Sequence, residues 1–197
     1  MVVKAIVVDL DGTVWDSRPF YAKLLCSVGT ASTTSFLAKL NEGKNIVRLI
    51  NETLNMGRSR FKRLCRENGK NIQIYPTVRE TLSLALQRGI KIGVATNLPA
   101  WICQPLLEET GLNELVDTVL DASNCKVHKP NGMVLDILLC KLNTDANSAV
   151  FAGDSIVDAM TARAAGVRFF WVSYGYEQPN QENAYKVINK FSELLEH

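Results

Sequence analysis

The chain opens with a short apolar run, Val2-Val3-Lys4-Ala5-Ile6-Val7-Val8, that stops at Asp9-Leu10-Asp11-Gly12-Thr13. Its length and β-branched content predict a buried strand. The next sixty residues read differently. Phe20 to Leu40 and Ile46 to Cys65 carry apolar residues three and four apart, interrupted near Gly29, Gly43 and Gly57, which predicts helices and no strand. From Tyr75-Pro76-Thr77 onward, short apolar runs alternate with amphipathic stretches. Thr77 with Glu80 predicts a capping box for a helix that ends near Gly89. Ile90 to Ala95, Val116 to Leu120, Ser148 to Ala152 and Val167 to Ser173 read as strands, the last of them closing the sheet. Pro99 to Glu109, Asn131 to Leu142 and a stretch capped by Ser155 and running to Ala165 read as helices, with Gly111 and Gly166 as stops. Asn180 to Leu195 predicts a terminal amphipathic helix.

Strands and helices alternating at this length imply an α/β protein with a doubly wound parallel sheet, whose right-handed crossovers put every strand's carboxyl end on one edge. The polar residues that follow the strands then converge there: Asp9 and Asp11, Thr96 and Asn97, Asp121, and Asp154. Ligands bind along that edge in open sheets of this kind. The change of texture divides the chain into an α/β core, residues 1–13 and 76–197, and a helix-rich insertion, residues 14–75.

At 197 residues, 47% hydrophobic and 21% charged, the chain is long enough for one well-buried domain plus an insertion. The longest purely apolar runs are strand-sized, so neither a membrane span nor a secretory leader is expected. Five scattered cysteines without a C-x-x-C pair argue against a disulfide framework or a zinc knuckle and fit a reducing cytoplasm. The net charge of +2 hides an asymmetry: between Gly12 and Thr77 eleven Lys or Arg face four acids, so the rest of the chain is acidic. A basic segment beside an acidic one suggests an anionic small molecule between them.

The chemistry follows from the acids. Along an extended segment the side-chain period is 2, so Asp9 and Asp11 start on the same side, and their repulsion calls for a bound cation or a shared proton. Asp9 is the candidate nucleophile, since a carboxylate can form an acyl phosphate. Asp11 is the candidate general acid and then base. Asp154 can share a hard divalent cation with Asp9, and Mg2+ suits such an oxygen-ligand set. Asp158, one helical turn further on, can hold a metal-bound water. Thr96, through its hydroxyl, and Asn97, through its backbone amide, can donate to phosphoryl oxygens. Lys129 supplies fixed positive charge.

In order and in placement, Asp9-Leu10-Asp11-Gly12-Thr13, Ala95-Thr96-Asn97, Lys129-Pro130 and Gly153-Asp154-Ser155-Ile156-Val157-Asp158 resemble the four motifs of the haloacid dehalogenase superfamily, nearest its phosphoglycolate phosphatase-like branch. The resemblance implies a Rossmann-like core with an all-helical cap inserted after the first strand. It assigns nucleophile and acid/base to Asp9 and Asp11, phosphoryl binding to Thr96 and Lys129, and Mg2+ to Asp9, Asp154, Asp158 and the backbone carbonyl of Asp11. The implied activity is Mg2+-dependent hydrolysis of a small phosphorylated metabolite through an aspartyl-phosphate. A phosphomutase, or a non-catalytic anion- or partner-binding module, is the alternative. Lys126 is a possible substitute for Lys129, and the acid at position 11 disfavours a carbon–halogen substrate.

Other chemistries lack their residues. There is no P-loop, no dinucleotide-binding glycine pattern after the first strand, and only His128 and His197 to build histidine-based sites. His128 reads as a loop residue. Within Arg58-Ser59-Arg60-Phe61-Lys62-Arg63, helical spacing puts Ser59, Lys62 and Arg63 on one face. One member of this cluster is a candidate for meeting a second anionic group of the substrate; the other reading is a solvated basic helix. Nucleic-acid binding is not expected, because no aromatic residues interleave the basic ones. Trp15, Phe20, Tyr21 and Phe36 read as core, with no site assigned to them.

Overall fold

The computed structural model describes residues 2–27, 35, 36, 38 and 57–196. Six parallel strands form the main sheet: β1 (Ala5–Val8), β4 (Lys91–Ala95), β5 (Thr118–Leu120), β6 (Ala149–Gly153), β7 (Arg168–Val172) and β8 (Lys186–Ile188), in the spatial order β5-β4-β1-β6-β7-β8. A second, antiparallel pair joins β2 (Trp15–Asp16) to β3 (Gln73–Ile74). Among the described residues the helices with defined bounds are α1 (Arg18–Ser27), α2 (Arg58–Asn68), α3 (Val78–Gln87), α4 (Ala100–Thr110), α5 (Met133–Lys141) and α6 (Ile156–Ala164). β1 is central because winding runs outward from it through β4 to β5, then crosses to β6 and continues to β7 and β8.

The strand period divides the core. Ile6 and Val8 face one side with Ile92, Val94, Val150 and Ala152, where α3, α4 and the buried Phe20, Leu24 and Phe61 of the insertion cover them. Ala5 and Val7 face the other side with Phe151, Phe169 and Trp171, under Leu135 and Leu138 of α5 and Ala159 and Ala162 of α6. The insertion is therefore anchored by the same apolar layer as one face of the sheet. Phe61 of α2 meets Trp101 of α4 edge to face at 5.3 Å. Register then aligns the strand ends: Val8 pairs with Val94 and with Ala152, so Asp9, the Thr96 segment and Asp154 emerge side by side.

Three local expectations differ from what is observed. The terminal segment is not one helix. Lys186–Ile188 adds strand β8 beside Phe170–Val172, flanked by short 3-10 turns at Gln181–Asn183 and Phe191–Leu195. Ala184, Val187, Ile188, Phe191 and Leu194 fall at helical spacing, but the β-branched Val187 and Ile188 pair with the open edge of β7. The insertion is also not wholly helical: its ends close on each other through Trp15↔Ile74 and Asp16↔Gln73. Thr77 makes no capping box; it sits at φ 65°, and its hydroxyl accepts from the Ser192 amide at 3.2 Å, tying α3 to the C-terminal segment. The interruptions expected near Gly29 and Gly43 lie outside the described residues. No described helix is long and apolar enough to cross a membrane.

Candidate active site

After β1 the chain leaves strand geometry at once. The amides of Thr13, Val14 and Trp15 all donate to the Leu10 carbonyl, and Gly12 takes φ +79°, a left-handed conformation suited to glycine. This tight turn follows Asp9, whose amide still donates to the Ala152 carbonyl at 2.9 Å, and it carries Asp11. Asp154 ends β6, and Ser155 caps α6 in a full capping box: its hydroxyl accepts from the Asp158 amide at 3.2 Å while Asp158 Oδ2 accepts from the Ser155 amide at 3.3 Å. That cap fixes Asp158, which is fully buried.

Carboxylate oxygens of Asp9, Asp154 and Asp158 lie within 4.8 Å of one another. Lys129 Nζ donates to Asp9 Oδ1 at 2.7 Å and to Asp158 Oδ1 at 2.6 Å, with its side chain only 4% exposed. Three clustered acids have one ammonium among them, paired with Asp9 and Asp158, so the cluster carries an excess of negative charge that a divalent cation would offset. Its donors are all hard carboxylate oxygens, which fits Mg2+. Burial pushes the Asp9 carboxyl up to about 7, with Lys129 pulling it down and Asp158 pushing it further up. Burial pushes Asp154 up to about 8, Asp158 and Asp9 adding to the rise. Both carboxyls thus resist ionising together unless positive charge arrives.

Asp11 stands apart from these three. Its carboxylate Oδ1 accepts from the Trp15 indole Nε1 at 2.7 Å. Its pKa is raised chiefly by burial, with Ser17 and Trp15 hydrogen bonds opposing the rise. Direct repulsion from Asp9 is not among its leading causes, and Asp11 in turn is only the last of the groups that raise Asp9. The strand-period argument for Asp11 is corrected accordingly, because the turn at Leu10–Gly12 removes the extended geometry on which it rested.

The remaining sequence candidates gather nearby. Thr96 is buried, and its hydroxyl accepts from the Leu98 amide at 3.1 Å, which leaves the hydroxyl proton to donate. Asn97 holds Lys129 by a reciprocal pair: its Nδ2 donates to the Lys129 carbonyl at 3.1 Å, and its Oδ1 accepts from the Lys129 amide at 3.0 Å. Asp121 is buried and accepts from the Ala100 amide at 3.1 Å, pinning the start of α4 beside Thr96. Lys126 and His128 are exposed, so of the two lysines near this loop only Lys129 reaches the acids. In the basic cluster Arg58 lies over the Trp101 ring at 6.0 Å and Arg63 pairs with Glu67 at 3.6 Å; Lys62 is half-buried and Arg60 exposed.

A haloacid dehalogenase-like hydrolase family model matches residues 6–172. This chain belongs to that family. Among curated proteins, the phosphoglycolate phosphatase of Vibrio parahaemolyticus is 30% identical over 98% of this chain and 95% of its own length. That of Pseudomonas syringae pv. tomato is 30% identical over 98% of the chain and 78% of its own. Among solved structures, a HAD phosphatase from Thermococcus onnurineus superposes with a TM-score of 0.80 at 22% identity, covering 98% of this chain and 97% of that one, a likeness of fold. The α/β class read from the alternating pattern, and the family read from the four motifs, are therefore right.

Sequence reading missed the segment after β7 of this hydrolase. The Tyr176 amide donates to Asp154 Oδ2 at 2.6 Å. The Tyr176 hydroxyl accepts from the Ser17 amide at 2.9 Å and donates to Asp16 Oδ1 at 3.2 Å, while Arg18 pairs with Asp16 at 2.7 Å and stacks on the Tyr176 ring at 4.5 Å. Tyr174 donates to the Thr13 carbonyl at 3.1 Å and packs on Tyr75 with ring centroids 4.5 Å apart. One strap therefore touches both ends of the insertion and Asp154. Its signal was available: Tyr174-Gly175-Tyr176 follows a strand whose carboxyl end points to the site. Glycines make the room. A Cβ on Gly12 would lie 2.1 Å from Asp154 Oδ2, on Gly175 2.2 Å from Asp154 Cβ, and on Gly153 2.6 Å from Asp158 Cβ.

Proposed function

We propose that this hydrolase is a Mg2+-dependent phosphatase that cleaves small phosphate monoesters, with 2-phosphoglycolate, the substrate class named in its curated relatives, the first to try. The observation that carries the reading is the cluster of three carboxylates, two of them bonded to one buried lysine, at the same strand ends as the Thr96 hydroxyl. Asp9 attacks phosphorus; the P–O bond to the leaving alcohol breaks as the Asp9–phosphorus bond forms. Asp11 gives its proton to the departing oxygen, then takes one from the water that releases inorganic phosphate and regenerates Asp9. Lys129 and Thr96 donate to the phosphoryl oxygens, and Asn97 keeps the Lys129 backbone in place. Asp9, Asp154, Asp158 and the Asp11 carbonyl would hold Mg2+, which when bound neutralises charge on the phosphoryl group.

In this reading residues 14–75 act as a cap over the core formed by 1–13 and 76–197, and bulk water is kept from the reaction when the cap is closed. The five cysteines, none of them in a disulfide, fit action in the cytoplasm. The test is a panel of phosphoglycolate, sugar phosphates and nucleotides with and without Mg2+, with Asp9→Asn as control. Release of phosphate that needs both Mg2+ and Asp9 is expected. Activity surviving Asp9→Asn removes the nucleophile assignment, and isomerised sugar phosphate in place of free phosphate shows a mutase.

A further inference from the structure

The indole of Trp15 is completely buried, yet its N–H is spent on Asp11 rather than on a backbone carbonyl. The indole is also held from both sides. The Trp15 amide donates to the Leu10 carbonyl at 3.2 Å, its carbonyl accepts from the Gly12 amide at 2.9 Å, and β2 pairs Trp15 with Ile74 at the far end of the insertion. Next along the chain, the Tyr75 amide donates to the Val14 carbonyl at 3.1 Å. The donor is therefore fixed by the stem where the insertion leaves and rejoins the core, not by a loop free to turn.

An indole N–H donates and cannot accept. The carbonyl oxygen of a neutral carboxyl is a better acceptor than its hydroxyl oxygen, so the 2.7 Å contact favours the form in which the oxygen facing the indole carries no proton. We propose that Trp15 is the positioning residue for Asp11: it fixes Oδ1 as a permanent acceptor and so assigns the proton passed to the leaving group to Oδ2. Asp11 keeps one orientation whether charged or neutral, and delivers its proton from a set direction. This inference rests on the reading of Asp11 as acid and base.

The test uses the full chain with Mg2+ and the variants Trp15→Phe and Asp11→Asn. The ratio kcat/KM reports steps up to leaving-group departure, so it isolates the proton donation. For an alkyl phosphate such as 2-phosphoglycolate, whose leaving oxygen needs a proton, Trp15→Phe is expected to lower kcat/KM about tenfold or more, part of the 10²–10⁴ that a positioned acid supplies. For p-nitrophenyl phosphate, whose phenolate leaves unprotonated, the fall should stay within about twofold. A parallel fall for both substrates marks a merely structural role, and no fall for either shows that Asp11 needs no such anchor; each overturns the proposal. Independently, one of the three tryptophan indole N–H resonances should move in Asp11→Asn, because a carboxylate acceptor is lost. If Trp15→Phe does not fold, that spectrum decides, and three unmoved indole signals overturn the proposal. If Asp11→Asn itself hydrolyses alkyl phosphates at the native rate, the acid/base reading fails and this inference with it. If Asp11→Asn is inactive while Trp15→Phe shows no selectivity, the inference alone fails.

Discussion

Replacing Gly175 by alanine should damage the proposed metal site without touching any acid. The added Cβ would lie 2.2 Å from Asp154 Cβ, 2.8 Å from its Cγ and 2.7 Å from its Oδ2. An ordinary carbon–carbon contact is about 3.5 Å, so Asp154 or the strap must yield by more than about 1 Å. Asp154 has little freedom to yield, since Gly12 also packs so close that a Cβ there would fall 2.1 Å from Asp154 Oδ2, and the Tyr176 amide holds Oδ2 at 2.6 Å. Overpacking of this kind costs about 1–3 kcal/mol, which for a chain of this size lowers Tm by about 2–12 °C. Metal ligation tolerates errors of only about 0.2 Å, so the loss in Mg2+ binding should exceed what the drop in stability suggests. Titration calorimetry of Gly175→Ala is expected to give an affinity for Mg2+ at least tenfold weaker, and kcat/KM should fall about 10²-fold, the scale of a 1 Å misplacement. Gly57→Ala is the control, because nothing lies within 4 Å of its added carbon. Native Mg2+ affinity and turnover in Gly175→Ala would refute the placement of Asp154 against the strap.

The ionisation of the cluster makes a second prediction. Asp9 and Asp154 bind protons in the folded chain up to about pH 7 and about pH 8, whereas the unfolded carboxylates have lost them above 3.8, so this stabilisation is present at low pH and disappears as pH rises through those values. The Tm of metal-stripped protein should therefore fall as pH rises from about 4 to about 8 and level off above it, and the rise in Tm on adding Mg2+ should grow over the same interval; a Mg2+ effect independent of pH, or an unchanged slope in Asp154→Asn, contradicts this. Third, Lys129→Met should abolish turnover and destabilise the fold by up to about 3–5 kcal/mol, since it leaves buried carboxylates without their cation, while the exposed Lys126→Ala retains native activity and Tm. Equal effects of the two lysine changes in denaturation and activity measurements would remove Lys129 from the site.

Much of this arrangement was readable before the structure because each motif residue sits at the end of an element whose type the hydrophobic period reveals. Asp9, Thr96 and Asp154 follow parallel strands, so topology alone brings them together. Lys129 and Asp158 were harder to weigh. Nothing local distinguishes Lys129 from Lys126 except the following proline, and burial between two carboxylates is a tertiary fact. The β2–β3 stem escaped notice because a two-residue strand has no period. Strand β8 escaped because its apolar residues also fit a helix, and the decision was made by the open edge of β7. The strap at Tyr174–Tyr176 was passed over because it carries no acid or base of the reaction, although its backbone amide and hydroxyl tie Asp154 to the insertion.

In the proposed reaction Asp9 carries the phosphoryl group. Acid-quenching Asp11→Asn during turnover of p-nitrophenyl phosphate with Mg2+, then locating phosphate by mass spectrometry, shows whether it does. This substrate needs no acid to release its alcohol, and without the Asp11 base the acyl phosphate should accumulate. The account predicts one phosphoryl group per chain on Asp9, absent when Asp9→Asn is added; phosphate on any other residue would contradict it, as would nitrophenolate released with no modified chain.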